Sequence, residues 1–344
     1  MPTVSAIIPT YQRRDSLGAV MTPLLADPAL HELIVAVDGS TDGTLEFVEA
    51  QRQRDARVVV VPLANRGIAC ARQAGLEAAG GEVALFIDDD VVAAPGLVSG
   101  HARRHAGAEG LLVKGYTPNE WRHLPPGRRA IARIYRSAYE QACARYEREP
   151  DHVLLGFWGG NFSVRRTDGL RIGIANPVFG RGAREEDREF GIRCFQDGLR
   201  GVFDRSLLAD HRYDRGVEAF RRDCRESGRY RHVIHALHPS VVGTGLNDGT
   251  ADANTADRPG QGLPRPLRRL LPVLASGPMF HILSGTLAAV FRAASAVGAL
   301  GIETVAARGL GSLETQRGVL DRTPVVRVGP PTAVRRGARS RIGE

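Results

Sequence analysis

The chain has 344 residues, 43% hydrophobic and 24% charged, with a net charge of +8 carried almost wholly by arginine; Lys114 is the only lysine. Such a composition suits a soluble globular protein with a substantial core, in one large domain or two modest ones. The heavy use of arginine and alanine reads as genome composition rather than nucleic-acid binding, and no arginine-aromatic RNA-binding signature appears. Cys70, Cys143, Cys194 and Cys224 are widely spaced, which argues against a zinc knuckle or a disulfide framework and points to a reducing cytoplasm. No cleavable apolar segment precedes the first strand-like run, so export by that route is not expected. The basic balance favours phosphorylated ligands or an anionic membrane surface.

In chain order, Val4 to Ile8 reads as a buried strand ended by Pro9-Thr10-Tyr11. Asp15 to Leu25 follows as a helix with Leu17, Val20, Met21, Leu24 and Leu25 on one face. A second strand, Glu32 to Val37, runs into Asp38-Gly39-Ser40-Thr41-Asp42-Gly43-Thr44, where Thr41 or Asp42 would cap the helix Leu45 to Arg54. A third strand, Arg57 to Val61, leads to Asn65-Arg66-Gly67 and a small-residue helix, Ile68 to Ala79. The fourth strand, Val83 to Ile87, is continuously apolar and stops at Asp88-Asp89-Asp90. Alternating strands and helices at short spacing predict stacked βαβ units, with all four strand ends on one edge. Ligands of open α/β sheets bind at that edge, and adjacent carboxylates there suit Mg2+ or Mn2+ shared with substrate phosphates. A solvated acidic turn before Pro95 is the alternative reading. No G-x-G-x-x-G or Walker sequence follows the first strand, so a dinucleotide fold or a P-loop is unsupported.

The motifs Ile7-Ile8-Pro9-Thr10-Tyr11, Val37 to Thr44, Asn65-Arg66-Gly67 and Ile87-Asp88-Asp89-Asp90 resemble, in order and spacing, those of family 2 glycosyltransferases of the GT-A fold. The resemblance implies an α/β protein with a mostly parallel central sheet, helices on both faces and, here, a helical C-terminal extension. It implies an inverting, metal-dependent transfer from a nucleoside-diphosphate sugar to a saccharide, lipid-linked or small-molecule acceptor. By position, Pro9, Thr10, Tyr11, Arg13, Asp38, Arg66, Gly67, Arg72, Asp88 and Asp89 would hold the donor, and Asp90 with His211 the metal. Many members carry two aspartates before the Gly-Ser, where this chain has Val37-Asp38; the nucleotide stays open.

Further along, Pro95 to Arg104 reads as a helix, Leu111 to Tyr116 as a strand and Ala130 to Arg148 as a long helix. Its Tyr135, Tyr139 and Tyr146 either touch an acceptor or pack, packing being the commoner fate. Trp158-Gly159-Gly160-Asn161 matches the family's Gly-Gly-Asn stretch; Trp158, Gly160 and Asn161 would meet donor or acceptor sugar. Glu185-Glu186-Asp187 at a helix start reads on spacing alone as N-terminal capping. The resemblance makes Glu186-Asp187 the catalytic pair, with Asp187 the base and Glu186 beside the sugar. A short strand, Gly201 to Phe203, precedes His211, and His232, His235 and His238 recur at helical spacing that suits a solvated face better than a metal.

These signals divide the chain into a nucleotide-sugar half (1–110), an acceptor and base half (111–240), a linker and helical extension (241–323) and a disordered basic tail (324–344). Residues 243–262 read as the linker. Phe280 to Ala307 reads as a helix broken by Arg292 and several glycines, short of the roughly 20 apolar residues that span a bilayer. Segment 263–307 either packs on the domain or makes peripheral contact with the inner face of the membrane, packing being favoured. A sugar-phosphate nucleotidyltransferase or a non-catalytic nucleotide-sugar-binding protein are the rival readings.

Overall fold

In the computed structural model, which describes residues 1–242 and 265–321 (265–269 as backbone only), one eight-stranded sheet organises the molecule. Its strands are β1 (Val4–Thr10), β2 (Leu30–Asp38), β3 (Val58–Leu63), β4 (Val83–Ile87), β5 (Val91–Ala93), β6 (Leu111–Tyr116), β7 (Asn161–Arg165) and β8 (Arg200–His211). Across the sheet they run β3-β2-β1-β4-β7-β6-β8-β5. β1 pairs in parallel with β2 and β4, Ile7 lying opposite Ile34 and Phe86. β7 enters antiparallel between β4 and β6, with Phe162 opposite both Phe86 and Lys114, so the sheet is mixed. That reversal places the start of β7 at the same edge as the ends of β1, β2, β4, β6 and β8.

The helices are α1 (Leu17–Leu25), α2 (Thr44–Arg54), α3 (Ile68–Ala78), α4 (Leu97–His105), α5 (Arg128–Arg148), α6 (His152–Leu155) and α7 (Arg166–Ile172). After them come α8 (Glu186–Gln196), α9 (Val217–Leu237), α10 (Pro239–Val242), α11 (Arg265–Leu274), α12 (Gly277–Ala296) and α13 (Leu300–Leu320). The side-chain period of two splits each central strand between two cores. On β4, Val83, Leu85 and Ile87 join α1, α2 and α4 on one face. Ala84 and Phe86 join α3, α5, α6 and α8 on the other. Both faces are covered, which is why β4 reads as an unbroken apolar run. Phe86 stacks on Phe162 with ring centroids 4.7 Å apart, and truncating so buried a phenylalanine costs about 3–5 kcal/mol.

Two expected elements depart from the sequence reading. The expected strand Gly201 to Phe203 is the start of β8, which continues to His211; its exposed side chains Arg205, Ser206 and Asp210 mask the apolar run. The expected helix Phe280 to Ala307 is two helices, α12 and α13, parted at Gly298, which takes φ +70°. Among the described residues α12 alone is long and apolar enough by composition to cross a membrane, with 28% of its apolar window buried, so the expectation that this segment falls short of a span does not hold on length and composition. Its buried side, Ala288 and Phe291, packs with Ala130 and Ile131 of α5 and Ala306, Ala307 and Leu310 of α13. The expected linker 243–262 and basic tail 324–344 lie outside the described residues.

α13 lies close against α9. A Cβ on Gly228 would collide with the Thr315 carbonyl, one on Gly311 with the Phe220 ring and one on Gly318 with the Arg225 carbonyl. Buried Glu314 accepts from Arg221 Nε at 2.9 Å and Arg225 Nε at 2.8 Å, tying the two helices further.

Candidate active site

The strand ends open into one cavity of about 760 Å3. Its donor-side lining includes Pro9, Thr10, Tyr11, Arg13, Asp38, Arg72 and Asp88 to Asp90; its far side draws on α5, α9 and α13. Local backbone tension collects around this edge. Among the described residues the three non-glycine residues at positive φ are Gln12 (56°), Asn65 (53°) and Glu185 (70°), each in a loop bordering the cleft, a placement typical of functional sites.

Each carboxylate at the edge is partnered, with Arg13 shared between Asp89 and Asp90. Asp38 is buried and accepts from the Arg66 and Gly67 backbone N–H groups, both at 2.7 Å. The side chain of Arg66 is exposed, and neither Arg66 nor Gly67 lines the cavity; here the backbone of that motif serves as scaffold for Asp38. Asp42 accepts from Thr44 N at 3.1 Å and Arg14 N at 3.0 Å, stitching the first loop to the second. Asp88 accepts from Arg72 Nη2 at 2.7 Å. Asp89 faces Arg13 Nε at 3.2 Å and the Tyr11 N–H at 3.3 Å. Asp90 Oδ1 lies 3.5 Å from His211 Nε2, with Arg13 Nη2 3.4 Å from Oδ2.

Burial raises the Asp89 carboxyl to about 6, Arg13 opposing and Asp90 adding to the rise. Burial also pushes Asp90 upward, but the hydrogen bond and charge of His211, with Arg13 and Arg215, outweigh it and hold Asp90 below the usual carboxylate range. The imidazole of His211 and the guanidinium of Arg13 thus both face the Asp90 carboxylate. Among the described residues no three His, Cys, Asp or Glu side chains converge as a ligand set. Asp90 and His211 fit a two-ligand site for Mg2+ or Mn2+ whose remaining positions fall to phosphate oxygens and water, the usual habit of Mg2+.

The paired glycines join this edge to the helix carrying the acids. The Asp88 N–H donates to Gly160 O at 3.2 Å, and the Gly159 N–H donates to Asp187 Oδ2 at 2.7 Å. Gly160 sits at φ +90°, and a Cβ there would lie 3.2 Å from Asp88 Oδ2, so only glycine suits the crossing. Asp187 Oδ1 accepts from Arg188 N at 2.8 Å at the start of α8. Capping and display therefore coincide: the helix start holds the carboxylate, and the cavity exposes it. Burial raises the Asp187 carboxyl, against the pull of Gly159 N–H and Arg72. Burial and then the Asp187 charge raise Glu186 to about 7. Buried Arg72 feels Asp88, Glu186 and Asp187 together; their charges outweigh the desolvation of its own.

An aromatic wall completes the site. Tyr135 stacks on Tyr213 at 4.1 Å and meets His211 at 5.2 Å and Trp158 at 5.5 Å. Trp158 is half-buried and lines the cavity, whereas Tyr139 and Tyr146 are packed in the core. Asn161 does not reach the cleft. It is fully buried, its Oδ1 2.9 Å from His101 Nε2 and its Nδ2 donating to Leu207 O at 3.0 Å. His235 and His238 are likewise buried rather than solvated, because α9 is covered by neighbouring helices; His238 Nε2 lies 3.2 Å from Glu189 Oε1.

Sequence reasoning left Tyr213, Arg184, Arg215 and Arg231 without roles, and all four line the cavity. Tyr213 carried a signal, lying two residues beyond His211 at the end of the last strand. The arginines carried none in a chain so rich in that residue.

Residues 5–168 match the family model described as Glycosyl transferase family 2. Validoxylamine A glucosyltransferase of Streptomyces hygroscopicus subsp. limoneus is 28% identical over 225 residues, 58% of this chain and 49% of that protein. The uncharacterized glycosyltransferase YfnE of Bacillus subtilis (strain 168) is 35% identical over 113 residues, 32% of this chain and 29% of that protein. The chain thus spans about half, or less, of the length of these curated relatives. In fold it is similar to a mannosyltransferase from Pyrobaculum calidifontis solved in complex with GDP-Man and Mn2+, at TM-score 0.56 and 16% identity over 92% of this chain and 87% of that one. The strand-end motifs of the first half, and the sheet edge that gathers them, lie within the stretch that is similar to glycosyl transferase family 2.

Proposed function

We propose that the protein is a metal-dependent, inverting glycosyltransferase that moves a sugar from a nucleoside-diphosphate sugar to an acceptor hydroxyl. The observation that carries this reading is the placement of half-buried Asp187, pinned by the Gly159 N–H, in the same cavity as Asp88, Asp90 and His211. Pro9, Thr10, Tyr11 and Asp38 hold the nucleoside at the ends of β1 and β2. Asp90 and His211 hold Mg2+ or Mn2+, which when bound neutralises charge on the departing diphosphate. Arg72 fixes Asp88, which orients hydroxyls of the donor sugar. Trp158, Tyr135 and Tyr213 offer flat apolar faces for the acceptor and keep water from the reacting face.

Asp187 performs the proton transfer. The acceptor O–H loses its proton to an Asp187 carboxylate oxygen as the new C–O bond forms at the anomeric carbon and the bond to the diphosphate oxygen breaks. One carboxylate on the side opposite the leaving group is what inversion requires. Its upward-shifted pKa makes it a better base than an ordinary aspartate. The fold similarity to a GDP-Man complex and the sequence similarity to a validoxylamine A glucosyltransferase put GDP-linked sugars among the donors, and small molecules beside glycans and lipid-linked sugars among the acceptors, to be assayed first.

Asp187→Asn is the test. Its one carbonyl oxygen can keep the Gly159 contact at the expense of that with Arg188 N–H, and the base is removed, so kcat for sugar transfer should fall about 10^2–10^4-fold while stabilisation by the nucleoside diphosphate with Mn2+ is unchanged. The panel UDP, GDP and dTDP, each with and without Mn2+, identifies the nucleotide by its rise in Tm. A variant that still transfers sugar at the wild-type rate defeats the assignment. Wild-type protein that binds a nucleotide-sugar and never turns it over with any acceptor points instead to a binding protein.

A further inference from the structure

The far end of the cavity is formed by two helix stripes. Phe220, Asp223, Cys224, Ser227 and Arg231 line it from α9, and Arg308, Gly311, Ser312 and Thr315 from α13. Arg231 is 95% buried there (relative exposure 5%). Its Nε has no hydrogen-bond partner, and no carboxylate pairs with it among the described residues. Among the cavity's other arginines, Arg184 pairs with Asp223, Arg188 with Glu185 at 3.8 Å and, at the donor edge, Arg72 with Asp88 at 2.7 Å, while Arg215, which also lacks a carboxylate partner among the described residues, is only half-buried. Arg308, one stripe over on α13, is exposed at the mouth and also has no carboxylate partner among the described residues.

A buried guanidinium without a counter-charge is costly and is the last arrangement a purely structural core would keep. It is well made for a ligand. Its planar fork matches a carboxylate or phosphate in two parallel hydrogen bonds, strongest where water is excluded. The surrounding hydroxyls of Ser227 and Ser312 suit the remaining oxygens of such a group. α13 packs on α5, α9, α11 and α12 rather than on the nucleotide-side strands, so this end lies on the acceptor's side of the cavity.

We infer that the acceptor carries an anionic group, carboxylate or phosphate, which Arg231 binds at the α9–α13 end of the cavity with Arg308 at its entrance. The inference rests on the glycosyltransferase reading for the word acceptor, and on the unpaired buried guanidinium for the anion.

Titration calorimetry on the full chain tests it, with glucose, glucose 6-phosphate, glucuronate and decyl phosphate as probes and EDTA present so that metal-bridged binding at Asp90 does not contribute. Wild type should bind at least one acidic probe about tenfold or more over glucose. Arg231→Gln should erase that preference, Arg231→Lys should keep part of it, and binding of the nucleoside diphosphate with Mn2+ should not change in either. Glucose 6-phosphate against glucuronate separates phosphate from carboxylate, and decyl phosphate separates a lipid-borne group from a soluble one. Without ligand, Arg231→Gln should melt no lower than wild type, since it removes a buried unpaired charge. Equal binding of glucose and the acidic probes, an Arg231→Gln protein that keeps the preference, or one that melts several degrees lower would each overturn the inference. Acidic probes that bind to a wild type which binds no nucleoside diphosphate would keep the anion site and remove the transferase reading; the reverse result would remove only the anion site.

Discussion

The wall that carries Asp38 and Asp88 to Asp90 is made of successive strand ends, whereas the wall that carries Tyr135, Arg231 and Thr315 is made of helix faces far apart in the chain. The first is set by hydrogen-bond register. Once Ile7 pairs with Ile34 and Phe86, the loops after β1, β2 and β4 have no choice but to meet. The second is set by side-chain packing and by glycines that let α9 and α13 approach. A register-built wall moves little when one side chain changes, and under the proposed function it would hold the groups common to any nucleotide-sugar. A packing-built wall can be reshaped by a few substitutions, and under the same proposal it would face the partner that differs from one transferase to another. The two walls should therefore fail separately, and that is open to experiment.

The largest effect is expected from Asp90→Ala. The substitution removes the carboxylate facing His211 at 3.5 Å, so the Mn2+-dependent rise in Tm given by a nucleoside diphosphate should vanish. Transfer should fall by about three orders of magnitude. The far wall should not notice: affinity for the acidic probe in EDTA should stay within about twofold of wild type, since additivity holds for separated sites. Loss of both together would mean that the two walls are one cooperative unit.

Gly228→Ala attacks the opposite wall. The added methyl lands on the Thr315 carbonyl, backbone against backbone, and α9 and α13 must part. Overpacking of this kind costs about 2–3 kcal/mol, or roughly 5 °C or more in Tm for a domain of this size. Discrimination among acceptors should weaken while Mn2+-dependent stabilisation by the nucleoside diphosphate survives. Unchanged stability would show that the two helices are less intimately packed than their glycines imply.

The same division explains what could be read from the residues alone. β1 to β4 and their loops announce themselves, because buried parallel strands are plain apolar runs and their ends carry the chemistry. Asp187 was ambiguous by spacing, since any helix start favours acids; what distinguishes it is the Gly159 N–H reaching across from the loop before β7. Asn161 misled because an amide beside two glycines looks like a ligand group, yet His101 and Leu207 O use its donors and acceptor inside the core. Arg231 was silent among 45 other lysines and arginines, because what sets it apart is the absence of a partner, and sequence does not display absences. Gly228, Gly311 and Gly318 were the available hint that α13 belongs to the cavity: glycine in a helix interior is unfavourable and asks for a close neighbour.

A smaller and more particular effect is expected at the seam between the walls, in the pH dependence of Glu186→Gln. Burial, and after it the charge of Asp187, raises the Glu186 carboxyl from an ordinary 4.5 to about 7 in the folded protein. A carboxyl raised on folding contributes stability that is fully present below pH 4.5 and is lost as pH rises through about 7, because the folded state then gives up a proton it held more tightly than the unfolded chain. Gln cannot lose that proton. Between pH 5 and 8 the wild type should therefore lose roughly 2 kcal/mol relative to Glu186→Gln, read as a gap in Tm that opens with pH. His101 and His105, which burial keeps neutral, make the opposite contribution in both proteins and cancel in the difference. Parallel Tm curves would mean that Glu186 is ionised throughout, held by Arg72 rather than by its burial, and Asp187 would then work as a base beside a fixed negative charge instead of beside a carboxylic acid.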